Sequence, residues 1–346
     1  MSRSARKIRV WLTLLVLLYA SVLLAGFIAP YAPGEQNRNV PFAPPTRLHF
    51  IETTGQLHAR PFVYRPVRRA GTFDEYDEDR SRRYPIRFFT RGTPYTIAGM
   101  LRADLHLFSV EEPAKIFLFG TDQFGRDVFS RLLFGGQISL VAGVVAAILA
   151  LGLGVALGGL AGFYGGWADE TVMRTAELFL ALPWLYLLFA VRSILPLHIT
   201  PGRALLLLVG VIGIVGWARP ARLIRGMVLS GKHREHVLAA RAFGATDMYL
   251  LRKHVLPQTA GLVLTQLALL VPQYILAEVT LSFFGLGVAE PVPSWGNMLA
   301  SVQRYDVLTS YWWMFLPGIA LCPAFLLYYA LANAIHQQTA FVSSGV

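Results

Sequence analysis

Long apolar runs separated by charged stretches dominate the chain. The N-terminus reads MSRSARKIRV and then WLTLLVLLYASVLLAGFIAP, a basic start before an apolar run long enough to cross a bilayer, for which about 20 residues are needed. A cleaved signal peptide has a shorter apolar core of ~7–15 residues and a small-residue cleavage site, and "GFIAPYAPG" offers none. The first run is therefore expected to persist as a helix with a cytoplasmic N-terminus. Five further apolar runs follow, at about 136–163, 171–193, 203–218, 259–285 and 311–335. The pattern predicts an all-α membrane protein of six transmembrane helices. Residues 1–30 form the cytoplasmic N-terminus and first helix, 31–135 an extracytoplasmic loop or subdomain, and 136–346 the transmembrane core, with an inside loop at 219–257.

The runs differ in detail. The second has no charge and carries Gly154, Gly158 and Gly162 at four-residue spacing, three bare patches on one helix face. Glycine is costly inside a helix, so close helix packing is the expected reason for the stripe. The third contains Arg174 and Glu177, spaced to pair, and Pro183. The fifth holds Gln266, Pro272, Gln273 and one charge, Glu278; the sixth holds Pro317 and Pro323. An ionisable residue within a span is a functional candidate, so Glu278 and its neighbour Gln273 are candidates for a translocation path. Hydrogen bonding between helices is the competing role for Gln266 and Gln273.

Composition agrees with the pattern. Only 15% of the 346 residues are charged and 55% are hydrophobic, with mean hydropathy +0.50. The net charge of +11 would suit nucleic acid in a soluble protein, but in this class it reflects retention of basic loops inside. Segment 219–257 carries Arg219, Arg222, Arg225, Lys232, Arg234, Arg241, Arg252 and Lys253 against Glu235 and Asp247, whereas 194–202 has no Lys or Arg. Both termini are thus expected inside. The single cysteine, Cys322, excludes an internal disulfide and a cysteine-rich metal site. The long first loop carries the acidic run DEYDED (Asp74 to Asp79) and then Arg80, Arg82 and Arg83, expected as a solvated charged turn rather than a docking patch.

Two further stretches imitate functional sites. "GMVLSGKH" (Gly226 to His233) approaches the phosphate loop G-x-x-x-x-G-K-[ST], but His233 replaces the magnesium-binding hydroxyl and no strand precedes it. No ATPase site is therefore expected in this chain. His233, His236 and His254 match no compact zinc spacing and have no completing ligand, so no metal site is expected.

"EHVLAARAFGATDMYLLRKHVLPQ" (Glu235 to Gln258) is the least explained stretch. As a helix it stacks Ala240 and Gly244 with Ala239 beside them, a flat spot without side chains. Thr246 and Asp247 are placed to cap a second short helix, and Pro257 to stop it before the fifth span. A helix inserted into a partner's groove and an amphipathic linker lying on anionic lipid fit this pattern equally well.

The residues resemble a known family. "EHVLAARAFGAT…HVLPQ" is similar to the EAA motif of ABC importer permeases: Ala239, Ala240, Gly244, Leu256 and Pro257 match at its spacing, while Leu238 and His254 depart from it. The acid at Glu235 is the form of the oligopeptide/dipeptide/nickel branch. "GTDQFGRDVFSRLLFGGQISL" (Gly120 to Leu140), "ILAEVTLSFFGLGV" (Ile275 to Val288) and "PSWGNML" (Pro293 to Leu299) also resemble that branch, and the long first loop resembles its second-permease (C-type) members.

The resemblance implies a type I ABC importer permease fold in a bacterial inner membrane. It implies a coupling helix, with Glu235, Ala239, Ala240, Arg241, Gly244, Ala245, Leu256 and Pro257 docking into a cytoplasmic ATPase. The implied partners are a homologous second permease, two ATPase subunits that hold ATP and magnesium, and an extracytoplasmic solute-binding protein, within the lipid bilayer and without nucleic acid. No cofactor is implied in this chain. Di- or oligopeptides are the first expected substrate, nickel or oligosaccharides the alternatives. A secondary transporter would need more intramembrane ionisable residues than Glu177 and Glu278, and no catalytic constellation supports a membrane enzyme.

Overall fold

The computed structural model describes residues 3–344 apart from 53–54, 70, 72–74, 98–100, 195 and 197–199. In chain order, helix α1 (Arg3–Leu23) and the short α2 (Ala25–Ile28) lead into five strands: β1 (His49–Ile51), β2 (Leu57–Arg68), β3 (Tyr76–Pro85), β4 (Arg87–Ile97) and β5 (Leu101–Ser109). Helices follow: α3 (Val128–Tyr164), α4 (Gly166–Ala181), α5 (Trp184–Ile194), α6 (Pro201–Gly216), α7 (Ala218–Gly231), α8 (Glu235–Ala242) and α9 (Asp247–Leu250). The last are α10 (Ala260–Phe283), α11 (Trp295–Ala300), α12 (Tyr305–Ser310) and α13 (Leu316–Ser344). The chain divides into two compact units. One comprises residues 1–16, 140–281 and 322–346; the other comprises 17–139 and 282–321.

The second unit corrects the all-α expectation. Strands β1, β2 and β3 form an antiparallel sheet in that order, and β4 pairs antiparallel with β5. Phe62, Val63 and Tyr64 are buried at the centre of β2, and Val63 packs with Tyr84, Ile86, Phe108 and Ile116. Pro66 has no N–H for a ladder, and it sits where β2 has lost β1 and pairs only with β3, opposite Glu78. The acid–arginine run is not a turn either. Its described part from Tyr76 onward is strand β3, where Asp77 accepts a two-pronged hydrogen bond from Arg69 at 2.9 and 2.7 Å; Asp74 lies outside the described residues. In the same unit Ser294 caps α11: its hydroxyl accepts from the Asn297 amide and the Asn297 side chain accepts from the Ser294 amide.

The helical unit departs from six straight spans. Among the described residues three helices are long and apolar enough to cross a membrane, 128–164, 247–283 and 312–338, or up to five if each bent pair counts as one. The third expected run is broken by 95° between α4 and α5. Pro183 causes this by forcing Leu182 into extended backbone, with ψ 140°. The fourth bends by 42° between α6 and α7. There Pro220 cannot donate to the Gly216 carbonyl, and the Tyr274 hydroxyl donates to it instead at 3.1 Å. Helix α1 falls outside the long-helix set because the helix breaks at Leu24 and its first turns carry Arg6, Lys7 and Arg9.

Candidate functional site

The segment from α7 to the start of α10 rests on close packing. Gly154, Gly158 and Gly162 of α3 face α7: a Cβ at Gly154 would lie 2.6 Å from the Pro220 side chain and one at Gly162 2.7 Å from the Arg225 carbonyl, while Gly158 abuts Ala221 backbone. Only bare backbone fits there. α7 is then fixed by charge as well, since the Arg225 guanidinium donates to both Asp169 oxygens at 2.5 Å. Lys232, the lysine of the imitation phosphate loop, donates to the carbonyls of Gly162 and Phe163 at 3.0 Å and so caps the C-terminus of α3. Gly226 to Gly231 are helical, so their amides are bound within α7.

On this base α8 turns one side inward. Val237 is buried with Phe163, Ile224, Val228, Leu250, Leu251 and Val255, and Ala240, Ala245 and Leu256 pack against that cluster. α8 ends in a Schellman turn: the Ala245 amide donates to the Ala240 carbonyl at 3.1 Å and the Gly244 amide to the Arg241 carbonyl at 2.9 Å. Gly244 has φ +85°, the left-handed conformation that L-residues adopt at a cost. This corrects the expected flat spot. Gly244 lies beyond the end of the helix and does not stack on Ala240; its identity is set by its backbone angle, and a Cβ there would meet open space. Ala240 and Ala245 are small where the turn folds back onto the core, while Ala239 is exposed.

Pro257 does not stop the second helix. Residues 251–255 form a π-turn and 256–259 a 3₁₀ turn, carrying α9 continuously into α10. The widened turn accommodates the proline, which removes one N–H and crowds the carbonyl four residues back. Thr246 makes no side-chain cap; Asp247 pairs with Arg241 at 2.9 Å instead.

The outward side combines exposed apolar side chains with one ion pair. Phe243 is 92% exposed, and Leu238, Met248 and Tyr249 are exposed near the Arg241–Asp247 pair. Sequence spacing missed Phe243; the signal was an aromatic at the helix terminus immediately before a left-handed glycine. Glu235 and Pro257 are also exposed. His236 and His254 lie with rings 6.2 Å apart and Gln258 bridges toward His236 at 3.0 Å, but no group of three metal-ligating side chains forms among the described residues. Away from the loop, Glu278 is fully buried and Gln273 half-buried on α10, and Arg174 pairs with Glu177 at 3.3 Å with both side chains exposed.

Comparison with known proteins adds a family to this geometry. Residues 154–340 match the binding-protein-dependent transport system inner membrane component family. The chain is similar to the oligopeptide transport system permease protein OppC of Bacillus subtilis, 38% identical over 66% of this chain and 70% of that protein. It is also similar to the dipeptide transport system permease protein DppC of the same organism, 40% identical over 60% of this chain and 62% of that one. Among solved structures, the inward-facing methionine ABC transporter MetNI shares a TM-score of 0.46 at 18% identity, over 60% of this chain and 95% of the matched one.

Proposed function

The chain belongs to the binding-protein-dependent transport system inner membrane component family, and from that premise we propose that it imports short peptides, with Glu235 to Pro257 as its docking element for a cytoplasmic ATPase. It is a permease subunit of an ABC importer and not itself the ATPase. The peptide assignment draws on the relatives, whose names specify oligopeptide and dipeptide transport.

The docking assignment rests on one observation above all. The short helices α8 and α9 are pinned on their inner side by Val237 and Leu250 and present Leu238, Phe243, Met248 and Tyr249 outward beside an ion pair. An apolar centre with charged neighbours is the composition of a protein-binding patch. Lipid would not need the Arg241–Asp247 pair. In this reading ATP and magnesium belong to the ATPase pair, and closure of that pair pushes on α8. The rigid path from α8 through the π-turn into α10 carries the motion into the spans.

The remaining topology follows the charge distribution. α1 is the first of six spans in a type I permease arrangement, both termini are cytoplasmic, and 31–135 lies outside, where it meets the solute-binding protein. A homologous permease completes the path. Gln273 and Glu278 on α10 are candidates for lining it, although the burial of Glu278 within this chain favours helix packing. The deciding experiment is uptake of a labelled dipeptide by vesicles holding the complete transporter. Uptake that requires ATP and the binding protein supports the reading. A complex that transports nickel or an oligosaccharide and excludes peptides refutes the substrate.

A further inference from the structure

Residues 282–321, together with the segment entering α3, enclose a cavity of about 450 Å³. Val128, Val288, Met298 and Met314 give it an apolar wall. The lining also includes two arginines that are almost wholly buried, Arg126 with 6% and Arg131 with 2% of the side chain exposed. A buried guanidinium needs a paired anion, and two carboxylates serve here in different ways.

Asp122 belongs to the frame. It is buried, accepts the Phe124 and Arg126 amides at 2.8 and 3.0 Å, and takes Arg126 Nε at 2.6 Å. Glu290 does not. It lies on the turn between α10 and α11, outside any helix or strand, and its side chain is 44% exposed. Yet it holds both arginines: Arg126 donates through two nitrogens at 2.7 and 3.2 Å, and Arg131 through one at 2.9 Å. The Arg126 guanidinium also lies 4.6 Å from the centre of the Phe124 ring, which keeps its fork pointed at the same place.

We propose that this cavity is a binding site for a small organic carboxylate bearing an apolar group, and that Glu290 occupies the carboxylate position until such a ligand displaces it. Exchange of one carboxylate for another preserves the charge balance of two cations and two anions, so the buried arginines are never left unpaired. Two planar forks select a two-oxygen anion over a neutral amide. The ligand's apolar group would lie against Met298 and Met314. Glu290 swings outward with its turn, which needs no helix to unwind. The inference stands apart from the peptide assignment, since it concerns recognition of the carboxylate alone.

The test uses the complete transporter in lipid nanodiscs, with N-acetyl-phenylalanine and its uncharged amide as probes in a calorimetric binding assay. An internal competitor lowers apparent affinity by the fraction of time the site is open, so Glu290→Gln should bind the acid about tenfold more tightly than the wild type. The amide should gain nothing. Equal binding of acid and amide by Glu290→Gln, or no gain for the acid in a variant that melts as the wild type does, overturns the proposal. If Glu290→Gln fails to assemble, Glu290→Asp replaces it. Its shorter side chain keeps the charge but cannot reach both arginines, and it too must bind the acid more tightly than the wild type; no gain overturns the proposal. Loss of peptide uptake by itself would bear on the substrate assignment and leave this prediction standing.

Discussion

The proposed docking loop and the Asp122–Arg126–Arg131–Glu290 cluster both combine arginines with carboxylates, yet they use charge in opposite ways. In the loop, Arg241 and Asp247 are half-exposed and the fixed part is apolar, with Val237, Leu250 and Val255 holding the base. In the cluster the arginines and Asp122 are buried, and the exposed member is the one on a turn. An exposed pair contributes about 0–1 kcal/mol, so the Arg241–Asp247 pair adds little to stability. Buried arginines carry large desolvation costs, and removing one partner is expensive. One region therefore leaves its charges and aromatics at the surface, as the proposed docking role needs, and the other keeps its charges satisfied.

The largest expected effect tests the buried side of this contrast. Asp122→Ala removes the carboxylate fixed by two backbone amides, and should cost about 3–5 kcal/mol, read as a large fall in the melting temperature of the purified complex. An Arg241→Ala-like small change there would dissolve the distinction. Next in size is Gly158→Leu. Its side chain would meet Ala221 backbone, which cannot yield as a side-chain tip would, so separation of α3 from α7 should cost about 1–3 kcal/mol and disturb the loop's base.

A third effect concerns pH. Asp127, beside the cluster, is pushed up to about 7, mainly because burial penalises its charge, while hydrogen bonds from the Ser130 amide and hydroxyl oppose the rise. Its folded-state value exceeds the ordinary carboxylate value of 3.8. The stability linked to its neutral form is therefore complete below that ordinary value and is lost as pH rises through about 7. Asp127→Asn should flatten the dependence of melting temperature on pH across this window. An unchanged slope would mean that Asp127 does not carry it.

Local patterns in the sequence carried the helical core and the loop's two short helices. Hydrophobic period, four-residue glycine spacing and turn chemistry are short-range signals, and each left a direct mark. The stripe Gly154, Gly158 and Gly162 could be seen, but its partner α7 could not, because contact between helices is not written in either one alone. Gly244 was conspicuous for the wrong reason, since backbone angle and the Schellman turn decide its identity. The π-turn that precedes Pro257 left no readable trace. The strands of 49–109 were hidden because their arginines and prolines mask the alternation that marks a half-buried sheet. The Arg126–Glu290 pair spans 164 positions, and no spacing rule reaches that far.

The docking role of the loop is tested most directly at Phe243, which is 92% exposed and absent from the buried cluster beneath α8. The measurement is the ATPase rate of the reconstituted transporter with and without binding protein and dipeptide, for wild type and Phe243→Asp at equal assembly. The account predicts unchanged melting and insertion, with stimulation lowered at least about tenfold, as expected when a central aromatic anchor worth about 2 kcal/mol or more is lost. Full stimulation and uptake in Phe243→Asp would contradict it.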